Sequence, residues 1–184
     1  MAEYQHKYFK YKTKYDKLFQ LIGGNTIAPN IKPSFDSGNG DANDKRHLAL
    51  LEYLTFQGAN KQNWNIMKEI YDPDVIGTMA NFGSYKGRDK HFVEMQKMYA
   101  FAPDLKVISH DIEFGSGEWT AVTQTMTGTA TGTTYIDNTP YTPTGKTFKF
   151  TACALIKWKN DKIIQEIIFW DESDFKRQIG ISTC

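Results

Sequence analysis

The stretch TFKFTACALIKWKNDKIIQEIIFWD, residues 147–171, decides the fold class of this chain. Every even position from Phe148 to Trp158 is apolar, which is the period of a β-strand with one buried face. Lys159-Asn160-Asp161 predicts a tight turn, and the Ile-rich run 162–171 predicts the returning strand. The stretch therefore predicts a long antiparallel hairpin.

A short strand is predicted at 75–81, and two longer strands are predicted directly before this hairpin. Residues 105–114 alternate along a first strand, and residues 118–129 form a second strand dense in Thr and Val. Gly115-Ser116-Gly117 separates the two strands as a turn. The segment 131–145 is rich in Gly, Thr and Pro, and it is predicted as a loop with room for a short strand at 134–136.

Helical periodicity dominates the chain before Pro103. The apolar spacing predicts helices that end at Gly58, at Asp72-Pro73 and before Pro103, and a last helical turn at 173–179. Helices followed by strands indicate an α+β fold. We expect a cone-shaped, curved antiparallel sheet wrapped around the N-terminal helices, with one open mouth that suits a small molecule.

Composition divides the 184 residues into three segments. Residues 1–22 are predicted as a basic amphipathic helix, residues 23–44 as a flexible linker, and residues 45–184 as the folded domain. The basic run 7–24, KYFKYKTKYDKLFQLIGG, resembles a Lys/Tyr-rich leader found on many otherwise unrelated giant-virus proteins. That resemblance concerns the source of the chain and not its chemistry.

Several classes of protein do not fit this composition. The net charge of +1 argues against a nucleic-acid-binding protein, and no apolar run approaches the roughly 20 residues of a transmembrane helix. Cys153 and Cys184 make neither a disulfide framework nor a zinc site. We expect no signal peptide and an intracellular, cytoplasmic protein, located in the host cytoplasm or the virion if the source is viral.

An ordered set of short motifs runs through the predicted domain. Its members are Trp64, Tyr71-Asp72-Pro73-Asp74, Gly87, Phe101-Ala102-Pro103-Asp104, residues 127–132, Thr144-Gly145-Lys146, residues 160–164, Asp171 and Gln178-Ile179-Gly180. The set resembles the SnoaL-like polyketide cyclase family, within the nuclear-transport-factor-2-like superfamily, over about residues 45–181.

The resemblance implies an α+β barrel whose hydrophobic pocket binds a small molecule without a cofactor. It also implies a general base at the aspartate before the Gln-Leu-Gly-like motif, here Asp171. In the family's cyclases this carboxylate removes a proton next to a carbonyl, and intramolecular aldol closure follows. Ala130 stands where the family often has histidine, and alanine transfers no proton, which argues against aldol cyclisation itself.

The residues themselves leave two interpretations of Asp171 open. On an alternating strand Asp171 shares a face with Phe169, Ile167 and Ile163, and if that face lines the pocket, desolvation makes the carboxylate a stronger base. Alternatively, Asp171 caps the helical turn that follows or is exposed at the sheet rim. Ligand contacts and oxyanion donors are expected among Trp64, Tyr99, Gln124, Gln165 and Trp170.

The histidines give no sign of a metal site, because they are dispersed without ligand spacing. His47 and His91 are expected to be solvated, whereas His110 could be exposed or face the pocket.

The sequence supports two hypotheses of function. The first is a cofactor-independent cyclase, isomerase or lyase with Asp171 as base. The second is a non-catalytic binding or dimerisation module of the same fold, and a homodimer fits both.

Overall fold

The computed structural model describes residues 42–79, 83–136 and 139–181. The predicted helix 1–22 and nearly all of the predicted linker 23–44 lie outside these residues. The described helices are α1 (Ala42–Tyr53), α2 (Trp64–Ile70), α3 (Arg88–Phe101) and α4 (Glu172–Ile179). A π-helical turn, Leu54–Gly58, and a 3₁₀ turn, Ala59–Lys61, continue α1. No helix in this part of the chain is long and apolar enough to cross a membrane.

The strands form one curved, unclosed sheet and one small hairpin. They are β1 (Tyr71–Met79), β2 (Gly83–Lys86), β3 (Lys106–Ser116), β4 (Trp119–Thr129), β5 (Thr134–Ile136), β6 (Thr139–Tyr141), β7 (Thr147–Lys159) and β8 (Lys162–Trp170). The sheet has the order β2-β1-β8-β7-β4-β3, and β5 pairs with β6. The predicted α+β architecture and the long hairpin, now β7–β8, are confirmed.

One strand pair differs from the antiparallel sheet that the sequence predicts. β1 and β8 run parallel, while every other described pair in the sheet is antiparallel. The chain enters β1 from α2 and not through a hairpin with β8, so no tight turn constrains the two strands to run in opposite directions.

A β-bulge in β8 reverses the faces of that strand. Lys157 pairs with Gln165 but Trp158 pairs with Ile163, so Ile164 is an extra residue without a partner on β7. Because side chains alternate with period two, one extra residue moves all later side chains to the opposite face. Glu166 and Ile168 therefore face the helices, and Gln165 and Phe169 face outward.

The inner face of the sheet packs against α1, α2 and α3. Trp158 is almost completely buried there, its indole N–H donates to Thr120 Oγ1 at 2.9 Å, and its ring stacks on His47 at 4.7 Å. The prediction that His47 is solvated is therefore wrong, because α1 lies across the sheet and carries His47 on its buried side. His47 Nε2 also lies 3.8 Å from Asp161 Oδ1 in the β7–β8 turn.

Candidate functional site

A cavity of about 90 Å³ lies between the helices and the inner face of the sheet. Its walls are mainly apolar, and four methionines contribute to them: Met79, Met95, Met98 and Met126. The exposed residue Lys106 also lines the cavity. Ligand pockets usually measure about 300–1,000 Å³. A drug-sized ligand would therefore need the flexible methionine side chains to move.

Three polar side chains meet on one wall of this cavity: Glu166 from β8, His91 from α3 and Tyr71 from β1. The Tyr71 hydroxyl donates to Glu166 Oε2 at 3.1 Å. His91 Nε2 lies 3.2 Å from the same oxygen, close enough for an ion pair but without the alignment of a full hydrogen bond. The exposed fractions are 8% for Glu166 and 1% for His91, so water competes little for these contacts.

The two oxygens of Glu166 have different surroundings. Burial, reinforced by the Glu166 charge, raises the pKa of Tyr71 well above its ordinary value, so the phenol keeps its proton and remains a donor to Oε2. Oε1 has no hydrogen-bond partner among the described residues, although Glu166 lines the cavity. One carboxylate oxygen is thus held by the protein, and the other is free to meet a ligand.

Sequence reasoning missed Glu166 and His91. Glu166 faces the cavity only because of the bulge at Ile164, which no residue pattern announces. His91 was expected to be solvated, and that prediction is wrong, because α3 turns it toward the sheet. One signal was present: His91, Met95 and Met98 follow the i, i+4, i+7 spacing of one helix face, and all three line the cavity.

Two of the predicted contact residues line the cavity, Tyr99 and Gln124. Burial raises the pKa of Tyr99 to about 12, and its hydroxyl donates to the Ala59 carbonyl at 2.8 Å. The Gln124 side chain makes only a weak contact within the described part of the chain, from Nε2 to Met126 Sδ at 3.9 Å. Gln124 is therefore the predicted residue whose amide is most available to a ligand.

The other predicted contact residues do not line the cavity. Trp64 packs on the core beside Phe92, with ring centroids 5.4 Å apart. Gln165 faces outward as a result of the bulge. The core has a second part, a separate cluster of buried residues around Phe101, Phe148 and Ile179. Trp170 packs against this second part, and its ring centroid lies 6.2 Å from that of Phe150.

A sequence model of the SnoaL-like polyketide cyclase family matches residues 48–179. The chain belongs to this family. Among curated proteins, none matches it significantly in sequence. Solved structures are also similar to the SnoaL-like domain. Their sequence identity to it is low, so the similarity establishes the fold but not the reaction.

Three of these structures are similar to the SnoaL-like domain along nearly all of its length. A candidate SnoaL-like polyketide cyclase from Jannaschia sp. CCS1 is 14% identical with a TM-score of 0.69, over 79% of this chain and 99% of that one. IdmH, a candidate polyketide cyclase from Streptomyces antibioticus, is 17% identical with a TM-score of 0.63, and the match covers 74% of this chain and 99% of IdmH. AclR, a candidate hydroxylase from Streptomyces galilaeus, is 14% identical with a TM-score of 0.61, and the match covers 74% of this chain and 82% of AclR.

Asp171 of the SnoaL-like domain lies outside the cavity lining. It is exposed and forms the N-cap of α4, where its Oδ1 accepts from the Asp174 N–H at 2.9 Å. The helix cap is the second of the two arrangements that the sequence left open. In the first arrangement Asp171 would continue β8 and face the apolar cavity. It does not do so, because α4 begins at Glu172 directly after the strand.

Ala130 and His110 are both buried in the SnoaL-like domain. Ala130, at the position where the family often has histidine, is fully buried in the core near α4. His110 is buried against Phe56, and its Nδ1 lies 3.5 Å from Glu113 Oε2. Within residues 42–79, 83–136 and 139–181, no group of three or more His, Cys, Asp or Glu is placed to hold a metal ion.

Proposed function

We propose that this SnoaL-like domain binds a small apolar carbonyl compound in the cavity and removes a proton next to the carbonyl, with Glu166 as the base. The supporting observation is the Glu166 carboxylate itself, with Oε2 held by Tyr71 and near His91, and Oε1 free in an apolar cavity. Glu166 is 8% exposed, and its free oxygen belongs to a side chain that lines the cavity, so a bound ligand can contact the proposed general base directly.

The proposed step moves one proton and needs no cofactor. Glu166 Oε1 takes the proton from the carbon next to the carbonyl, and the electron pair of the broken C–H bond forms an enolate. The Gln124 amide N–H can donate to the enolate oxygen as charge develops there. Return of the proton to another carbon gives isomerisation, attack of the enolate on a second carbonyl of the same ligand gives cyclisation, and loss of a leaving group gives a lyase reaction.

The prediction that Asp171 is the base is kept as a competing proposal. For Asp171 to act, its carboxylate would have to leave the cap of α4 and reach the cavity. The two proposals differ in which carboxylate the reaction needs, and they can therefore be separated with one pair of variants.

The test is deuterium exchange, which detects proton removal without knowledge of the natural substrate. Ethyl acetoacetate, cyclohexanone, acetophenone and γ-butyrolactone are incubated with the protein in D₂O, and loss of the proton signal next to each carbonyl is followed by NMR. We expect wild-type protein to accelerate exchange of at least one probe and Glu166→Gln to lower that acceleration by about 10²–10⁴-fold. Asp171→Ser, which keeps the helix cap, should retain it.

Two results would contradict the assignment of Glu166. Exchange that survives in Glu166→Gln but disappears in Asp171→Ser would make Asp171 the base. Absence of exchange with every probe would favour the non-catalytic alternative. Thermal shifts would then show whether the cavity binds the probes at all, because a ligand at one hundred times its Kd stabilises the fold by about 2.7 kcal/mol.

A specific observation also favours the dimerisation module. Two rows of the sheet's outer face are mostly apolar across β3, β4, β7 and β8, with Thr123 as the polar member. Strand register places Phe114, Ala121, Leu155 and Ile167 in one row and Ile112, Thr123, Cys153 and Phe169 in the other. We call these eight residues the outer patch. Phe114 is 50% exposed and Ile112 is 49% exposed.

The outer patch supports the proposal that two copies of the chain pair through this face. Contiguous apolar surface of this kind marks interaction sites on soluble proteins. Such a dimer is compatible with both catalysis and simple binding, because the cavity lies on the opposite face of the sheet. The expected intracellular location and the absence of a nucleic-acid partner stay predictions.

A further inference from the structure

Three residues of neighbouring strands lie in one row of the sheet, and one of them is the proposed base Glu166. Gly77 on β1 pairs with Tyr85 on β2 and with Glu166 on β8. Side chains of one row point to the same face. Tyr85 and Glu166 therefore flank a position that has no side chain, and His91 of α3 contacts both of them across it.

The missing side chain at Gly77 is what lets Tyr85 reach His91. A Cβ atom at position 77 would lie 2.6 Å from the Tyr85 hydroxyl oxygen and would also overlap its ring. The ring thus occupies the space above Gly77, and its hydroxyl lies 2.9 Å from His91 Nδ1. Any other residue at position 77 would displace the ring from this place.

Two observations favour Tyr85 as the donor in its hydrogen bond with His91 Nδ1. Burial, with the nearby Glu166 and Glu94 charges, raises the pKa of Tyr85, so its hydroxyl keeps the proton that it can donate. If Tyr85 donates to Nδ1, the imidazole proton must be on Nε2, which faces Glu166 Oε2 at 3.2 Å. The opposite tautomer would direct a lone pair of Nε2 at a carboxylate oxygen and is disfavoured.

We propose that Tyr85 is a positioning residue for the site: it holds His91 in the Nε2–H tautomer, and Gly77 provides the space that this requires. Glu166 Oε2 then faces two donors, Tyr71 O–H and His91 Nε2–H, and Oε1 is the oxygen left for a ligand. The catalytic consequence rests on the proposed function, but the tautomer itself does not.

The tautomer is measured on the ligand-free full chain by ¹⁵N NMR of the histidine side chains, with His91→Gln used to assign the signal. We expect an acceptor-type Nδ1 and a protonated Nε2 in the wild-type protein. Tyr85→Phe keeps the ring but loses the hydroxyl, and it should remove this pattern. Gly77→Ala should have the same effect by displacing the ring, whereas Tyr53→Phe, outside the cavity lining, should not.

Two outcomes would overturn the assignment of Tyr85. One is a wild-type His91 with its proton on Nδ1 or on both nitrogens. The other is a Tyr85→Phe protein whose His91 signals match those of the wild type. Melting curves for each variant show that the comparison is made between folded proteins.

The catalytic consequence is tested separately with the deuterium-exchange probes. Tyr85→Phe should lower the exchange rate at saturating probe by about tenfold while leaving the thermal shift caused by the probe unchanged. If His91 changes tautomer and exchange does not slow, a positioning role in catalysis is excluded. If no probe exchanges even with wild-type protein, the proposed function fails, and the NMR result on the tautomer still stands.

Discussion

A single residue, Ile164, decides which carboxylate faces the cavity. Without its bulge, strict alternation from the buried Ile163 would bring Gln165, Ile167 and Phe169 to the inner face and leave Glu166 outside. With the bulge, Glu166 faces inward and meets Tyr71 and His91. Alternation along the sequence therefore fails to predict which face of the sheet a side chain is on, once the strand contains an extra residue.

Asp104 shows how a local hydrogen bond makes stability depend on pH. Its Oδ2 accepts from the Thr129 hydroxyl at 2.7 Å and its Oδ1 from the Thr129 N–H at 2.8 Å. These bonds hold the pKa of Asp104 below its ordinary value of 3.8. Since the folded pKa is depressed, the carboxylate stabilises the fold above the unfolded value, and this contribution is lost as pH falls through the folded value.

We therefore expect Asp104→Asn to lower the melting temperature at pH 7, and the difference from wild type to shrink as pH falls below about 3.8. Thermal melts between pH 2 and 7 measure this. Thr129→Val removes the hydroxyl donor but keeps the N–H, so it should show a smaller effect of the same kind. Parallel pH profiles for wild type and Asp104→Asn would contradict this explanation.

At the scale of elements, α4 depends on its N-cap. Asp171 accepts a hydrogen bond from the Asp174 N–H, and Gly180 ends the helix in the left-handed conformation at φ +85°. The helix packs Phe175 and Ile179 into the second part of the core. Asp171 therefore has a structural function that does not depend on any catalytic one.

Substitutions at Asp171 should separate these two functions. Asp171→Ala should lower the free energy of unfolding by about 1 kcal/mol, because the Asp174 N–H loses its acceptor. Asp171→Ser retains a capping oxygen and should stay within a few tenths of a kcal/mol of wild type. Urea unfolding curves measure both values. Equal stability of Asp171→Ala and wild type would show that the cap contributes nothing measurable.

At the scale of the whole molecule, apolar side chains occur on both faces of the sheet. The inner face packs on helices, whereas the outer patch is uncovered within the described residues. A standard protein interface buries about 800 Å² on each partner, and a face four strands wide is broad enough to supply an area of this order. This supports the homodimer that we propose.

Placing a charge in the outer patch should therefore separate the dimer. We expect Ile112→Lys to raise the dimer dissociation constant at least about tenfold, because a charged side chain replaces one of the most exposed apolar side chains of the outer patch. Light scattering after gel filtration measures the change. Val93→Lys changes an exposed apolar residue on α3 and should leave the dimer intact. A wild-type chain that is monomeric at high concentration would disprove the dimer.

Periodicity alone determined the α+β class, the β7–β8 hairpin and most element positions, because burial of one face leaves a pattern that local sequence carries. The motif order also pointed to the SnoaL-like family, which the match over residues 48–179 bears out. Residue type alone named Tyr99 and Gln124 among five candidate donors; both line the cavity, and their contact with a ligand stays a prediction.

Only the tertiary structure decided the composition of the candidate site. Glu166 reaches the cavity through a bulge and His91 through the packing of α3, while Tyr85 contacts His91 through the space left above Gly77. Asp171, which the family pattern favours as the base, is occupied as a helix cap. The physical reason is common to Glu166, His91 and Tyr85. Their roles depend on neighbours distant in sequence or on one extra residue in a strand, and neither leaves a periodic trace in the sequence.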